Sequence, residues 1–236
     1  MSPGNHKSDF YDLHSPATAQ RVVLAAVGGV CITLAWWLLF GGGLEVAGGW
    51  LGLPWRSGDP TRRALLGAAL SIYYIRILFT TFIFLQHGVT WREVFAIAPW
   101  IFVIYLLLSI SGGTNPDALG VLAWIGALLF VDGSWINSYA EYARHMWKSR
   151  SEHHGQLYTE GLFKRTRHPN YLGDLVSFSG LCLISGTWAT AIIPLLMLTG
   201  FLFVNIPTLD AHLHDHYGTQ FDEYAKRTWK LVPFLY

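Results

Sequence analysis

Long apolar runs separated by short polar stretches dominate the chain. Each run approaches the roughly 20 residues that a helix needs to cross the hydrocarbon core of a bilayer. The pattern predicts an all-α, polytopic membrane protein with about six transmembrane helices. The last two runs are joined by Gly186, Thr187 and Trp188, which predicts a tight C-terminal helical hairpin followed by a polar cytoplasmic tail. The predicted spans cover residues 21–41, 64–86, 94–112, 118–139, 172–186 and 188–206.

Composition places the chain among membrane proteins. Of its 236 residues, 52% are hydrophobic and only 13% are charged, whereas soluble domains usually carry about 25% charged residues. The formal net charge is +1, so bulk charge indicates no nucleic-acid partner. Cys31 and Cys182 both lie within apolar runs, so no disulfide framework is expected. The partner that composition predicts is the lipid bilayer, and the oligomeric state is left open.

Lysine and arginine are distributed unevenly between the two sides of the predicted spans. With both termini on one side, that side holds twelve of these cations and the opposite side holds three. The positive-inside rule therefore places both termini and the 140–171 loop in the cytoplasm, in a bacterial inner membrane or the endoplasmic reticulum. Residues 1–20 contain no apolar core, so no cleavable signal peptide is predicted.

Four polar residues share one face of a helix that is predicted to leave the membrane and continue into the cytoplasm. Asn137, Glu141, Arg144 and Lys148 are spaced by four, three and four positions, which is the spacing of one helical face. Arg144 and Lys148 together could neutralise a phosphate, because Arg offers a planar fork and Lys a point charge. The alternative is a solvated face with a Glu141–Arg144 pair that contributes little to stability.

Residues 157–174, LYTEGLFKRTRHPNYLGD, place a dense polar cluster directly before an apolar run. Such a cluster suits an anionic, nucleotide-like ligand at the bilayer surface, because backbone N–H groups at a helix start favour an anion. Asp174 would cap the helix or accept a hydrogen bond from a ribose hydroxyl, and Gly173 allows close backbone approach. The alternative is a basic loop that only sets topology. The candidate cofactor-binding residues here are Lys164, Arg167, His168, Asn170, Tyr171, Gly173 and Asp174.

Polar groups inside the predicted spans are costly unless they are paired. This makes Arg76 and Asp132 candidate partners in an intramembrane ion pair. Tyr73 and Tyr74 precede Arg76, and either one could donate a proton to a substrate carbanion or pack as an ordinary aromatic residue. These two tyrosines are the candidate catalytic residues.

Two histidines in the tail have the spacing of metal ligands on a helix. His212 and His216 are four positions apart. No cysteine and no third convergent ligand accompanies them in the sequence, so no metal site is predicted. The adjoining YGTQFDEYAKR predicts an amphipathic helix instead.

The loop and the tail together resemble a known family. GLFKRTRHPNYLGD, an apolar hairpin and then YGTQFDEYAKRTWKLVPFLY resemble the carboxyl-terminal half of the steroid 5-alpha-reductase and sterol reductase superfamily, in particular its uncharacterised DUF1295 branch. The resemblance covers about residues 133–236. It implies that Asn170 and Asp174 contact NADPH, and that the basic pair Arg144 and Lys148 holds phosphate.

The resemblance also implies an activity. The chain would be a membrane-embedded, NADPH-dependent reductase of a C=C bond in a lipophilic, steroid-, sterol- or enone-like substrate. Asp210 lies near the acidic position before the family's YG motif and joins the candidate cofactor-binding residues. Residues 1–236 would form a single membrane domain, with 1–132 on the substrate side and 133–236 binding the cofactor. The amino-terminal half shows no Gln-Glu catalytic pair like that of steroid 5-alpha-reductases, so the proton donor does not follow from the resemblance.

A neighbouring class shares this architecture. Isoprenylcysteine carboxyl methyltransferases and phospholipid methyltransferases are similar in the RHPxYxG motif, the hairpin and the tail, but bind S-adenosylmethionine. They usually carry two Glu residues after the hairpin, where this chain has Thr208, Leu209 and Asp210, and this difference favours the reductase. An S-adenosylmethionine-dependent methyltransferase of a lipid or prenylated substrate is the alternative, and a non-enzymatic membrane protein is the third hypothesis.

Overall fold

Helices joined by short loops make up the fold. The computed structural model describes residues 17–85 and 88–236, so the predictions for the N-terminal segment 1–16 lie outside the described residues. The α-helices of the described residues are α1 (Thr18–Phe40), α2 (Gly43–Leu51), α3 (Pro60–Phe79), α4 (Trp91–Gly113), α5 (Val121–Lys148), α6 (Pro169–Ser185), α7 (Ile192–Gly200), α8 (Ile206–Tyr217) and α9 (Thr219–Arg227). Two five-residue π-helical segments, Thr80–Phe84 and Phe201–Asn205, extend α3 and link α7 to α8 in the same part of the chain.

Local sequence explains where the helices around the later site begin and end. α4 starts at a capping box, in which the Thr90 side chain accepts from the backbone N–H of Glu93 and the Glu93 carboxylate accepts from that of Thr90. α6 starts at Pro169, whose fixed φ suits the first helical position. It ends at Gly186, which adopts a left-handed φ of 68° that most other residues avoid.

Among the described residues, five helical segments are long and apolar enough to cross a membrane: α1, α3 with its π extension, α4, α5, and the stretch Trp188–Tyr217. The predicted span 172–186 is the 17-residue α6, about 26 Å of helix, which is shorter than a typical span. It packs along α5 within the same layer. The prediction of an all-α, multi-pass membrane protein with a C-terminal hairpin is confirmed.

Two element boundaries differ from the predicted ones. No helix is predicted between the spans 21–41 and 64–86, whereas the structure contains α2 there, where the apolar stretch GLEVAGGWL is bounded by Gly42 and Gly52 in left-handed conformations. The predicted span 188–206 continues through the second π segment into α8 and ends at Tyr217. The start of the predicted polar tail is therefore part of the same long helical segment. The predicted amphipathic helix is present as α9.

α5 and α6 approach each other more closely than side chains at the contact would allow. Gly126 and Gly133 of α5 lie against Gly180 and Gly173 of α6. A Cβ atom added at Gly133 would lie 2.4 Å from the backbone nitrogen of Ser177, and one at Gly180 would lie 2.4 Å from the carbonyl oxygen of Gly126. In a lipid environment such close backbone packing between small residues is a principal source of helix association.

α3 and α4 pack against this pair, and α1 packs on α3 and α4 to complete the core. At the C-terminal end of α6, the buried Arg62 of α3 donates to the carbonyl oxygens of Ile184 and Asp117, the latter at 3.0 Å. These bonds hold α3, α6 and the loop that precedes α5 together at the end remote from the 157–168 loop. The buried core includes Leu39, Leu66, Leu70, Tyr105, Leu108, Phe130, Phe178 and Leu181.

Replacing Gly180 by Ala should destabilise the protein by about 1–3 kcal/mol, because the new methyl group would overlap the α5 backbone. Chemical unfolding of the detergent-purified protein would measure the loss. Gly49→Ala is the matched control, since Gly49 lies in α2 with nothing within 4 Å of an added Cβ. Equal stability of the two variants would mean that the α5–α6 contact is not as tight as described.

Candidate active site

A cavity of about 1120 Å³ lies between α1, α3, α4, α5, α6 and the α7–α8 stretch. Its lining changes from polar to apolar along the helices. On α6, Asn170, Asp174 and Phe178 line it in succession, one helical turn apart. We call the region of Asn137, Glu141, Arg144, Lys148, Asn170 and Asp174 the polar end, and the region of Ile97, Trp100, Ile101, Phe178, Leu196 and Met197 the apolar end.

The predicted polar face of α5 contacts the start of α6 at the polar end. Glu141 accepts a hydrogen bond from the Asn170 side-chain amide at 3.0 Å and forms an ion pair with Arg144. Asn137 donates to the backbone carbonyl of Asn170 at 3.0 Å. Asn137 and Glu141 are buried, whereas the Arg144 side chain is 37% exposed. The structure therefore brings the two predicted groups of cofactor-binding residues together.

Arg76 of α3 crosses to α6 and joins the polar end to the membrane-embedded core. Its guanidinium forms an ion pair with Asp174 and donates to the hydroxyls of Ser134 and Ser177, at 3.1 and 3.3 Å. The predicted ion pair with Asp132 is wrong. Asp132 is exposed on the outer face of α5, because it lies two positions from the inward-facing Ser134 and two positions place residues on different faces of a helix.

Lys148 is a cation of the polar end whose neighbour is aromatic. Its ammonium donates to the Tyr217 hydroxyl at 3.0 Å and lies 5.6 Å from the centroid of that ring. Within residues 17–85 and 88–236, no carboxylate lies within 4.0 Å of it. His212 and His216 of α8 also line the cavity, with their rings 6.1 Å apart. The cavity lining therefore includes several basic side chains.

The two candidate proton donors occupy different environments. Tyr73 lines the cavity between its two ends, with its ring edge-on to Phe178 at 5.0 Å and the Arg76 guanidinium 5.4 Å from its centroid. Tyr74 instead donates to the backbone carbonyl of Ala25 at 3.1 Å and does not line the cavity. The arrangement thus distinguishes two tyrosines that the sequence leaves equivalent.

Three of the predicted cofactor-binding residues connect the tail to the start of α6. The Asp210 carboxylate accepts from Arg167 at 2.7 Å and bonds His168 Nε2 at 2.9 Å. Arg167 also donates to the backbone carbonyls of Ala225 and Thr228. None of Arg167, His168 and Asp210 lines the cavity. Their buried ion-pair cluster holds α8 and α9 beside the first turn of α6.

Lys164, Gly173 and Tyr171 also fall in separate environments. Lys164 lines a second, smaller cavity of about 400 Å³. The close approach predicted at Gly173 is to the α5 backbone, since a Cβ there would lie 2.6 Å from the nitrogen of Asn137. Tyr171 does line the main cavity and stacks on Phe201 with ring centroids 4.5 Å apart.

Sequence reasoning missed several residues of the site. Ser134 and Ser177, which accept from Arg76, lie three positions before Asn137 and three positions after Asp174, so helical spacing alone could have added both. His145 also lines the cavity and lies four positions after Glu141 on α5, so the same spacing could have found it. Asn205 and Tyr217 line the cavity from elements whose position the sequence does not reveal.

Fold and site together define a multi-pass, all-helical membrane protein with one large cavity that has a polar end and an apolar end. Residues 70–228, about two thirds of the chain, match the model of the family described as Protein of unknown function (DUF1295). The chain belongs to this family, as the resemblance of its loop and tail predicts.

Relatives with named activities are enzymes of two classes. The chain is 34% identical over 91 residues to Protein-S-isoprenylcysteine O-methyltransferase B of Arabidopsis thaliana, covering 39% of this chain and 46% of that protein. It is 27% identical over 112 residues to human 3-oxo-5-alpha-steroid 4-dehydrogenase 2, covering 48% and 42%. The chain therefore spans less than half the length of these relatives in the matched regions.

A solved structure has a similar fold. The eukaryotic intramembrane Ras methyltransferase, isoprenylcysteine carboxyl methyltransferase, superposes with a TM-score of 0.54 over 98% of this chain and 81% of that chain, at 17% identity. At this identity the similarity concerns the fold alone.

Replacing Arg76 by Met should destabilise the protein by about 3 kcal/mol, because Asp174 would keep a mostly buried charge without its partner. Thermal unfolding in detergent would measure this loss, with the exposed Arg92→Met as control. Adding Asp174→Leu to Arg76→Met should restore part of the stability, as expected for directly coupled residues. Additive effects of the two substitutions would argue against the ion pair.

Proposed function

We propose that this protein is a membrane-embedded reductase that uses NADPH to reduce a C=C bond of a lipophilic substrate. The observation that carries the proposal is the cavity itself, which is lined by cations and amides at one end and by apolar side chains at the other. Such a cavity suits a reaction in which a charged, water-soluble cofactor meets a substrate dissolved in the bilayer. The sequence resemblance to steroid and sterol reductases and the relationship to a 3-oxo-5-alpha-steroid 4-dehydrogenase support the same reaction class.

The donor set of the polar end fits a dinucleotide with phosphates. Lys148 has no carboxylate partner within 4.0 Å among the described residues, and Arg144 lines the cavity beside it. Arg144 and Lys148 would hold the phosphates, because charge-assisted bonds from a guanidinium and an ammonium suit phosphate oxygens. Asn170 and Asp174 would orient the rest of the cofactor by hydrogen bonds. When bound, NADPH supplies a hydride.

Tyr73 is the residue that would supply the proton. It lies where the polar end meets Phe178 of the apolar end, so its hydroxyl would lie beside a substrate held among the apolar side chains. The Arg76 guanidinium near its ring would stabilise the phenolate that forms as the proton leaves. Tyr74 fits this role less well, because its hydroxyl donates to the Ala25 carbonyl and the residue does not line the cavity.

The two halves of the chain would divide the work less sharply than the sequence predicts. All six residues of the polar end come from residues 133–236, whereas the apolar end draws equally on both halves, with Ile97, Trp100 and Ile101 from residues 1–132. Tyr73 and Arg76 come from the first half yet face the polar residues of the second. With the predicted topology, the polar end would open toward the cytoplasm, where NADPH is found.

Methyl transfer from S-adenosylmethionine is the second candidate. The observation that favours it is the pair of carboxylates, Glu141 and Asp174, in the cavity wall, because a sulfonium cation would be stabilised there. The relationship to an isoprenylcysteine methyltransferase agrees with it. Both carboxylates already have an arginine partner, and this is why the reductase is preferred.

The cofactor can be tested by thermal stability of the purified protein with NADPH, NADH or S-adenosylmethionine, since a ligand that binds the native state raises its stability. NADPH should raise the melting temperature. Lys148→Ala should weaken NADPH binding by about 1.5–3 kcal/mol through loss of one charge-assisted contact. The exposed Arg150→Ala serves as the charge-matched control. A shift with S-adenosylmethionine alone would overturn the reductase in favour of the methyltransferase.

The proton donor can be tested by comparing two conservative variants. Tyr73→Phe should lower kcat for an enone substrate by about 10²–10⁴-fold, because it removes general-acid catalysis, and NADPH affinity should stay unchanged. Tyr74→Phe removes the same atom from a hydroxyl bonded to the backbone, so it should keep most of the turnover. Single-turnover NADPH oxidation would measure both. Equal rates for the two variants would exclude Tyr73 as the donor.

A further inference from the structure

The segment after α9 is held against the chain that leads into α6. Thr166 and Trp229 form an isolated parallel β-bridge, in which the Arg167 N–H donates to the Trp229 carbonyl at 2.8 Å. The Thr166 hydroxyl adds a bond to the Leu231 carbonyl at 2.9 Å. Because α6 starts at Pro169, residues 229–231 lie at the end of the helical layer, where the polar loop meets the apolar helices.

The last turn of the chain projects apolar side chains away from the protein. Leu231 is 1% exposed and anchors the turn, and the N–H groups of Leu235 and Tyr236 donate to the Val232 carbonyl. In the same turn Phe234 adopts a φ of 69°, which a bulky residue rarely does. Phe234 and Leu235 are 82% and 80% exposed. The turn is thus ordered by backbone bonds. The Phe234 ring lies 6.1 Å from that of the exposed Trp229, centroid to centroid, and most of the surface of Phe234 and Leu235 stays exposed.

Five cations lie on the segments that pack next to this turn. The side chains of Lys164, Arg165, Lys226 and Arg227 are exposed, and within the described ranges 17–85 and 88–236 none of them forms an ion pair within 4.0 Å. Lys230 donates to the Tyr236 hydroxyl at 3.3 Å. We call these five cations, together with the exposed Trp229, Phe234 and Leu235, the basic–aromatic surface.

A cavity lies within this surface and outside the candidate active site. Lys164 and Arg227 line it, at a volume of about 400 Å³. Thr159, Glu160, Tyr224 and Thr228 complete its described lining. The Tyr224 hydroxyl donates to the Phe163 carbonyl at 2.8 Å, and burial raises its pKa, so it stays neutral and fixes one wall. Two cations and two threonine side chains beside a single acid favour an anionic ligand such as a phosphate group.

We infer that the basic–aromatic surface binds the headgroup of an anionic phospholipid from the bilayer in which the protein lies. The phosphate would occupy the cavity of Lys164 and Arg227, and Trp229, Phe234 and Leu235 would insert at the level of the headgroups. Aromatic side chains concentrate at this level of a membrane, and clusters of Lys and Arg beside apolar helices attract anionic lipids. A free phosphate or nucleotide would account for the cations but would leave the exposed apolar turn without a role.

The test is a titration of the detergent-purified protein with short-chain phosphatidylglycerol, short-chain phosphatidylcholine or inorganic phosphate. The melting temperature is measured at each ligand concentration. Phosphatidylglycerol should stabilise the protein more than the other two. Lys164→Gln with Arg227→Gln should weaken phosphatidylglycerol binding by about fivefold for each lost cation. The control is Arg92→Gln with Arg150→Gln, which removes the same charge from exposed positions outside the surface.

A second variant tests the apolar part of the surface. Phe234→Asn with Leu235→Ser keeps a residue that tolerates positive φ at position 234 and removes both apolar side chains. It should abolish the preference for phosphatidylglycerol over inorganic phosphate. Equal stabilisation of the parent protein by inorganic phosphate and by phosphatidylglycerol would overturn the lipid in favour of a phosphate site. If both double glutamine variants lost phosphatidylglycerol affinity equally, the effect would be general charge attraction, and the proposed lipid site would be wrong.

Discussion

The close approach of α5 and α6 is the contact on which the rest of the structure depends. Gly133 and Gly173 remove the side chains that would otherwise separate the two backbones. Only at this separation can the Asn137 amide reach the Asn170 carbonyl at 3.0 Å, and only there do Ser134 and Ser177 lie within 3.4 Å of each other. A helix pair held by large apolar residues would lie farther apart, at 8–10 Å between axes in ordinary packing, and would split the polar end into two unconnected faces.

A second constraint follows from placing a charge within the apolar layer. Arg76 must be paired, because an unpaired guanidinium there is costly, and it is satisfied by Asp174 and two hydroxyls that the α5–α6 contact brings together. The bond uses Asp174 Oδ1, and the described residues offer no hydrogen bond to the second carboxylate oxygen. Asp174 also lines the cavity. In the proposed function, fold stability and cofactor binding would therefore share one residue, with Oδ1 bonded to Arg76 and the second oxygen left for the cofactor.

Much of this fold could be predicted from the sequence, because the length of an apolar run indicates whether a helix formed by that run can cross the bilayer core. The polar face of α5 was also predictable, since helical spacing fixes which of Asn137, Glu141 and Arg144 lie together. The partner of Arg76 was not predictable, because spacing along one helix does not reveal which residues of another helix it meets. Asp132 was the nearest acid in sequence inside a predicted span, yet it lies off the polar face of α5 and is exposed, and the packing of α5 against α6 brings Asp174 to Arg76 instead.

The 164–168 segment shows that cations close together in the sequence need not serve the same function. Read in order, Lys164, Arg165, Arg167 and His168 form one cationic cluster. The bridge between Thr166 and Trp229 divides this cluster. Lys164 and Arg165 point to the exposed side, whereas Arg167 and His168 are buried against Asp210. Because the inner pair neutralises the acid of α8, the long helical segment is fixed beside α6 and its lining residues complete the cavity. Within the part of the chain that the structure describes, the outer pair forms no ion pair within 4.0 Å, so both cations stay available to the anionic headgroup that we infer.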